Sequence, residues 1–349
     1  MENKPFFTLQ DKLIKAAKNK HILLRVNLEV TYQCNFRCRH CYIPDSYKQA
    51  YKSKELDTKG IFFILDELKK QGCFYIGFTG GEPFLRKDFL SILRYAKKNG
   101  FQFSIGSNGS LINQRLAREL AKLAVHRVDI TFPSFRKAAF DAITGTSNMY
   151  KRVVACVDFL KREKVGLGIR TCLLKENQDE VGKIESWAKR LKAMFRLDSI
   201  LSPRINGDRT PYKYRGWIAK EDFLKDEFLS LAKKEKDNAK FQYRLKDILY
   251  CGAGVNQAAL TPAGELKPCL LLDSPKYSIT ELGLKKAWDR MGDWVDRRRI
   301  SSFYTCEICS LRGYCKICPA RSWLYAKNYT SCDPDCRDFA AGLIRGMNR

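Results

Sequence analysis

Apolar residues fall along this chain in two alternating rhythms. Short runs that are apolar at almost every position, "LLRVNLEV" (23–30), "CFYIGFTG" (73–80), "FQFSIGSNG" (101–109), "HRVDITF" (126–132) and "VGLGIRTCLL" (165–174), read as strands. Between them lie stretches with apolar residues every three or four positions: "TKGIFFILDELKKQG" (58–72), "DFLSILRYAKKNG" (88–100), "QRLARELAKLA" (114–124), "YKRVVACVDFLKREK" (150–164) and "DEVGKIESWAKRLKAM" (179–194). These read as amphipathic helices, and Gly72 and Gly100 stop the first two. A sixth strand is predicted over "LDSILSP" (197–203).

Six strand-helix units with near-continuous apolar strands predict a parallel sheet covered by helices, either a partial barrel or an open doubly wound sheet. In both, the loops at the carboxyl ends of the strands form the reactive rim. Three motifs land there: a three-cysteine stretch after the first strand, "TGGEP" (79–83) after the second and "SNG" (107–109) after the third. The pattern changes near residue 208. Residues 216–247 read as a charged helical linker, and 248–349 as a turn-rich second domain of roughly a hundred residues, a size at which metal crosslinks can replace missing core. The N-terminal 1–25 reads as a Lys-rich helical extension before a barrel spanning 26–215.

The chain has 349 residues and is 45% hydrophobic, enough for one large core and a smaller one, and no apolar run is long enough to span a bilayer. The N-terminus lacks an apolar signal core, so a soluble, cytoplasmic protein is expected. Fourteen cysteines in a reducing compartment then point to metal or catalysis rather than disulfides. With only His21, His40 and His126 available, metal ligation rests on thiolates, which select iron–sulfur clusters or all-Cys zinc. The net charge of +26 favours acidic partners. No Lys/Arg block accompanies a nucleic-acid motif, so nucleic acid is not the expected partner.

In "TYQCNFRCRHCYIP", Cys34, Cys38 and Cys41 place three thiols within eight residues. A closed zinc site wants four ligands and a disulfide two, whereas three thiolates on a four-iron cubane leave one iron open to a chelating small molecule. Cys-x3-Cys-x2-Cys resembles the signature loop of radical S-adenosylmethionine (SAM) enzymes, and "TGGEP" resembles that family's glycine-rich second-strand motif. The resemblance implies a partial (β/α)6 TIM-like barrel in which Cys34, Cys38 and Cys41 hold a [4Fe-4S] cluster. The open iron binds SAM, and the 5′-deoxyadenosyl radical formed on its reductive cleavage abstracts hydrogen from substrate. It further implies that the Gly80 and Gly81 backbone and Glu82 receive the cofactor's ammonium, with Pro83 fixing the exit. His40 would lie beside the adenine, Ser107 and Asn108 near the ribose, and Thr131 and Arg170 against the cofactor. For each of these the alternative is a satisfied strand-end residue. Cys73, Cys156 and Cys172 sit in strand or helix patterns and read as small core hydrophobes; His126, opening a strand, reads as structural.

The C-terminal "CGAGVNQAALTPAGELKPC", "CEICSLRGYCKIC" and "CDPDC" resemble the SPASM domain, a small Cys-rich unit that usually binds two auxiliary [4Fe-4S] clusters in radical SAM enzymes maturing peptides. Position by position, one cluster takes Cys306, Cys309, Cys315 and Cys336, and the other Cys251, Cys269 and Cys318. Cys315-x2-Cys318 is one residue shorter than the usual pattern and no cysteine follows Cys251 closely, so the second set either leaves an iron open or is closed by Cys332. All-Cys zinc knuckles are the structural alternative. The resemblance implies oxidative modification of a peptide, most naturally a ribosomally made precursor, with a flavodoxin- or ferredoxin-type electron donor. A separate leader-peptide-binding protein is expected, because only about 25 residues precede the first strand. Two rival functions stand beside it: a maturase of tetrapyrrole haem precursors or another small cofactor, and a zinc-stapled nucleic-acid-binding protein using Tyr212, Tyr214 and Trp217.

Overall fold

The computed structural model describes residues 16–17, 20–217, 249, 251–298, 309–311, 314–315 and 318–347. The predicted linker helix from residue 218 onward, most of the N-terminal extension and Cys306 lie outside the described residues.

Six strands, β1 (Arg25–Thr31), β2 (Tyr75–Gly80), β3 (Gln102–Ser107), β4 (Arg127–Thr131), β5 (Leu167–Cys172) and β6 (Met194–Asp198), pair in sequence order, every pair parallel. The five crossovers between successive strands carry the helices α2 (Thr58–Lys70), α3 (Phe89–Lys98), α4 (Gln114–Lys122), α6 (Tyr150–Arg162) and α7 (Val181–Arg190). Two shorter helices, α1 (Asp45–Tyr51) and α5 (Lys137–Thr144), lie within the longer connections that follow β1 and β4. Local chemistry agrees with these boundaries. Asp57 and Asn113 cap α2 and α4 by accepting from Gly60 N and Leu116 N, and α2 buries Ile61, Ile64, Leu65 and Leu68 on one stripe. Those stripes pack on Val26, Leu28, Ile76, Phe78, Phe103, Ile105, Val128, Ile130 and Ile169 from the strands, forming the main core.

Two elements differ from the predicted pattern. The last strand begins at Met194 and ends at Asp198, earlier than the predicted 197–203, because α7 stops at Arg190. Lys192 then adopts φ 56° and Ala193 N bonds back to Ala188 O, so the chain reverses sooner than its apolar run suggests. Leu201 packs instead with Ile143 and Leu174 in a small cluster of its own.

The C-terminal region is also more regular than predicted. After the Gly252 and Gly254 turns, β7 (Gln257–Leu260) joins β1 in parallel register, Arg25 opposite Gln257, and the antiparallel β8 (Glu265–Lys267) and β9 (Tyr277–Ser278) extend the sheet to nine strands. Helices α8 (Leu284–Asp296), α9 (Pro319–Ala326) and α10 (Pro334–Met347) follow the single helical turn Ile279–Leu282. The cysteine-rich region thus starts on the free edge of the barrel sheet. An ion pair fastens the join: Lys267 Nζ on β8 lies 2.9 Å from Glu29 Oε2 on β1, both side chains 0% exposed, and Tyr32 and Tyr42 donate to the same carboxylate.

Candidate active site

The loop carrying Cys34, Cys38 and Cys41 leaves β1 at its carboxyl end, and two backbone contacts set its path. Gly81 N donates to Thr31 O at 2.7 Å and Glu82 N to Gln33 O at 2.8 Å. A Cβ on Gly81 would stand 2.1 Å from Gln33 O, and one on Gly80, at φ 131°, the same distance from Thr31 O. The glycine pair therefore lets the end of β2 press against the residues just before Cys34. The second contact comes from α5, which the sequence reading did not single out. Arg37 N and Arg39 N donate to Thr144 O and Ile143 O, and Gly145, at φ 63°, follows directly. A turn glycine after an amphipathic run was the available signal.

Glu82 is completely buried, and its carboxylate accepts from Ser107 Oγ (2.9 Å), Asn108 N (2.7 Å) and Phe84 N (3.1 Å). Burial pushes its pKa up to about 7, against the lowering effect of those donors. Glu82 and Ser107 thus meet each other, tying β2 to β3, rather than facing the open rim. Pro83 is buried at the start of the single turn Pro83–Leu85. The Asn108 amide lies over the cysteine loop: its nitrogen donates to Asn35 Oδ1 at 2.8 Å and lies 3.9 Å from Cys34 Sγ, while its oxygen accepts from Ser110.

The three thiols are half-buried. Burial pushes Cys34 up to about 11 and raises Cys38 and Cys41 as well, and Cys41 and Cys34 add to the effect at Cys38, so the sulfurs lie within electrostatic reach of one another. Lys48 on α1 works in the opposite direction at all three. Its ammonium is held 2.7 Å from Asp45, and the sequence reading missed it. Thiols in this setting stay protonated until a cationic metal body takes the sulfurs, which releases the protons. The donor set and its surroundings therefore fit an iron–sulfur cluster.

His40 is kept neutral by burial, its pKa pulled down to about 4, and its Nδ1 has no hydrogen-bond partner among the described residues. Thr131 and Arg170 stand opposite one another on β4 and β5, and Arg170 Nη2 is 3.6 Å from Asp198 at the end of β6. Cys73 and Cys156 are buried as expected of core thiols. Cys172 is not: it ends β5, half-buried on the rim, and influences Cys38 electrostatically. Beyond it a cavity of about 380 Å³ opens between the strand ends and α10, lined by Leu173, Leu201, Arg215, Trp217, Asp338 and Phe339.

At the C-terminus, Cys269 is pushed up to about 12 by burial and then by Cys318 and Cys251, which lie within electrostatic reach of it. Cys336 is buried, and its free thiol is in hydrogen-bond contact with that of Cys315. Cys309 is half-buried, and Cys332 is exposed with its thiol against Asp333 O. Among the described residues no three His, Cys, Asp or Glu side chains converge on a point suited to one metal ion, and a four-iron cluster is held by thiols set around a larger body. No described helix is long and apolar enough to cross a membrane.

Residues 28–188, which carry the parallel strands β1 to β5 and the loop of three thiols, match the Radical SAM superfamily. Over 88% of its length the chain is similar to the AdoMet-dependent heme synthase of Methanosarcina barkeri, 23% identical and spanning 94% of that protein. It is similar over the same share to the mycofactocin maturase MftC of Mycolicibacterium smegmatis, 24% identical and spanning 81% of it. Its fold is that of Streptococcus suis SuiB bound to the precursor peptide SuiA, with a TM-score of 0.67 at 16% identity, covering 97% of this chain and 82% of SuiB.

Proposed function

We propose that the chain is an oxidative peptide maturase working in the reducing cytoplasm, with the radical SAM barrel over 26–215 and a SPASM domain over 248–349. The observation that carries this reading is the join of the two regions: β7 beside β1 sets Cys251 and Cys269, which flank β7 and β8, at the edge of the sheet whose first strand leads to Cys34, Cys38 and Cys41. The likeness to MftC, a maturase, covers 88% of the chain and so reaches into that same C-terminal region. When bound, the cluster and SAM supply one-electron chemistry that removes a hydrogen atom from substrate.

The chain's own residues hold and shield those groups. Cys34, Cys38 and Cys41 would ligate the cluster, and Gly80 and Gly81 set the height of their loop. Glu82 locks Ser107 and Asn108 so that the Asn108 amide stays beside Cys34. His40 would lie beside the adenine of SAM, with Thr131 and Arg170 as further contacts to the cofactor, and the cavity beyond Cys172 would admit a side chain of the peptide. Cys306, Cys309, Cys315 and Cys336 would hold one auxiliary cluster, and Cys251, Cys269, Cys318 and in addition Cys332 the other. A low-potential flavodoxin or ferredoxin would supply electrons, and a small partner would present the leader.

A second reading, modification of a haem precursor, is favoured by the likeness to the heme synthase and by the affinity of a +26 chain for propionates. Anaerobic incubation of the reconstituted protein with SAM, reductant and either short acidic precursor peptides or an iron porphyrin, read by mass spectrometry, separates the two. A mass loss of whole hydrogens on a peptide supports maturation; loss of carboxylates from the porphyrin with every peptide unchanged overturns it.

A further inference from the structure

Arg321 is a buried cation beside the C-terminal thiols. It stands in the first turn of α9, three residues after Cys318, and is 8% exposed. Its Nη2 donates to Cys336 Sγ at 2.9 Å, and its Nε lies 3.3 Å from Asp333 Oδ2. Asp333 and Cys336 are 4% and 1% exposed, and the thiol itself reaches Asp333 at 3.4 Å. Asp333 is positioned in turn by Asp335 N, which donates to its other oxygen at the start of α10.

A guanidinium cannot shed its charge, so one held inside a protein must be matched by negative charge. Asp333 supplies one anion. The sulfur of Cys336 supplies another when it is bound to iron, since a ligating thiol is deprotonated. A charge-assisted N–H bond to a ligand sulfur draws electron density from it, and that favours the reduced state of an iron–sulfur cluster.

We propose that Arg321 is a positioning residue that raises the reduction potential of the auxiliary cluster ligated by Cys336, through its hydrogen bond to that sulfur. The proposal rests on the reading of Cys336 as a cluster ligand. On that reading this cluster would take one electron from the substrate radical, passing from its oxidised to its reduced state as the substrate releases a proton and forms its new bond.

The test uses the full chain, reconstituted anaerobically, with Cys34, Cys38 and Cys41 replaced by Ala so that only auxiliary clusters remain. Dithionite titrations followed by electron paramagnetic resonance compare Arg321 with R321M/D333N. The double variant removes both buried charges together, and Asn keeps the oxygen that accepts from Asp335 N. Iron content is expected to be unchanged, and one couple alone should move to lower potential. The reduced-to-oxidised ratio at fixed potential should fall at least tenfold, equivalent to about 59 mV for a one-electron couple. R321K, which retains charge near Asp333 without the fork that spans both partners, should shift the same couple less, and it decides the matter should the double variant lose iron. Full iron with unmoved potentials overturns the role of Arg321 and leaves Cys336 as a ligand. Cys336→Ala with full iron and sulfide overturns the ligand reading itself.

Discussion

Gly81 has no room for a methyl group, and what it faces is Gln33 O, part of the backbone rather than a side chain that can swing away. Gly81→Ala should therefore shift Gln33 and Cys34 together. Anaerobic reconstitution of that variant should lose about one cluster's worth of iron, with SAM cleavage falling in step. Normal iron with weakened SAM binding would instead assign the glycine to the cofactor. Glu82 gives a pH-dependent counterpart. Its pKa is about 7 when folded, above the ordinary carboxylate value of 4.5, so between those values the native chain binds more protons than the unfolded one. Stability then falls as pH rises through that window, and the contribution is gone above about 7. Glu82→Gln, which keeps an acceptor for Ser107, should flatten this slope in thermal melts of the metal-free protein from pH 4.5 to 7.5. An unaltered slope would show that other groups control it.

At the scale of elements, α1 and the β1–β7–β8 join carry the connection between the two thiol regions. Helix α1 places Lys48 beside the first three thiols, and the same helix sends Tyr47 to Asp273 at 2.5 Å and Tyr51 to Glu265 at 2.6 Å. Lys276 closes this group by donating to Tyr51 Oη at 2.9 Å. Beneath it, the pair of Glu29 and Lys267 has no access to water, so removing one partner strands the other charge. Lys267→Met should destabilise the fold by about 3–5 kcal/mol, and Glu29→Gln combined with Lys267→Met should recover much of that loss. Denaturant unfolding of the metal-free chain measures both, and additive losses would argue against coupling.

For the whole molecule, the decisive question is whether the C-terminal thiols serve chemistry or only crosslink the chain. If Cys309 shares a cluster with Cys315 and Cys336, Cys309→Ala should lower iron and sulfide by about one cluster. SAM cleavage should persist, because the loop of Cys34 is untouched, while product formation on the true substrate should fail. Zinc near two equivalents per protein in the wild type, with iron for the radical cluster alone, would replace the two auxiliary clusters with structural knuckles.

The alternation of apolar periods was enough to define the six parallel strands and most of their helices, because each element buries a stripe whose period its own backbone dictates. The three-cysteine spacing and the position of "TGGEP" after a strand were likewise readable, since ligand spacing within one loop is a local property. Other features depend on residues far apart in the chain and became visible only in three dimensions. Residues 199–203 read as a strand because apolar character does not say which core receives it, and Leu201 serves the small cluster with Ile143 and Leu174. The direction of Glu82 toward Ser107, the approach of Thr144 to the cysteine loop and the rim position of Cys172 follow from how strand ends meet. No periodicity encodes the pairing of β7 with β1 across more than two hundred residues, or the meeting of Arg321 with Cys336. Short apolar runs are compatible with many neighbours, and a buried charge is settled only by whichever partner the completed fold supplies.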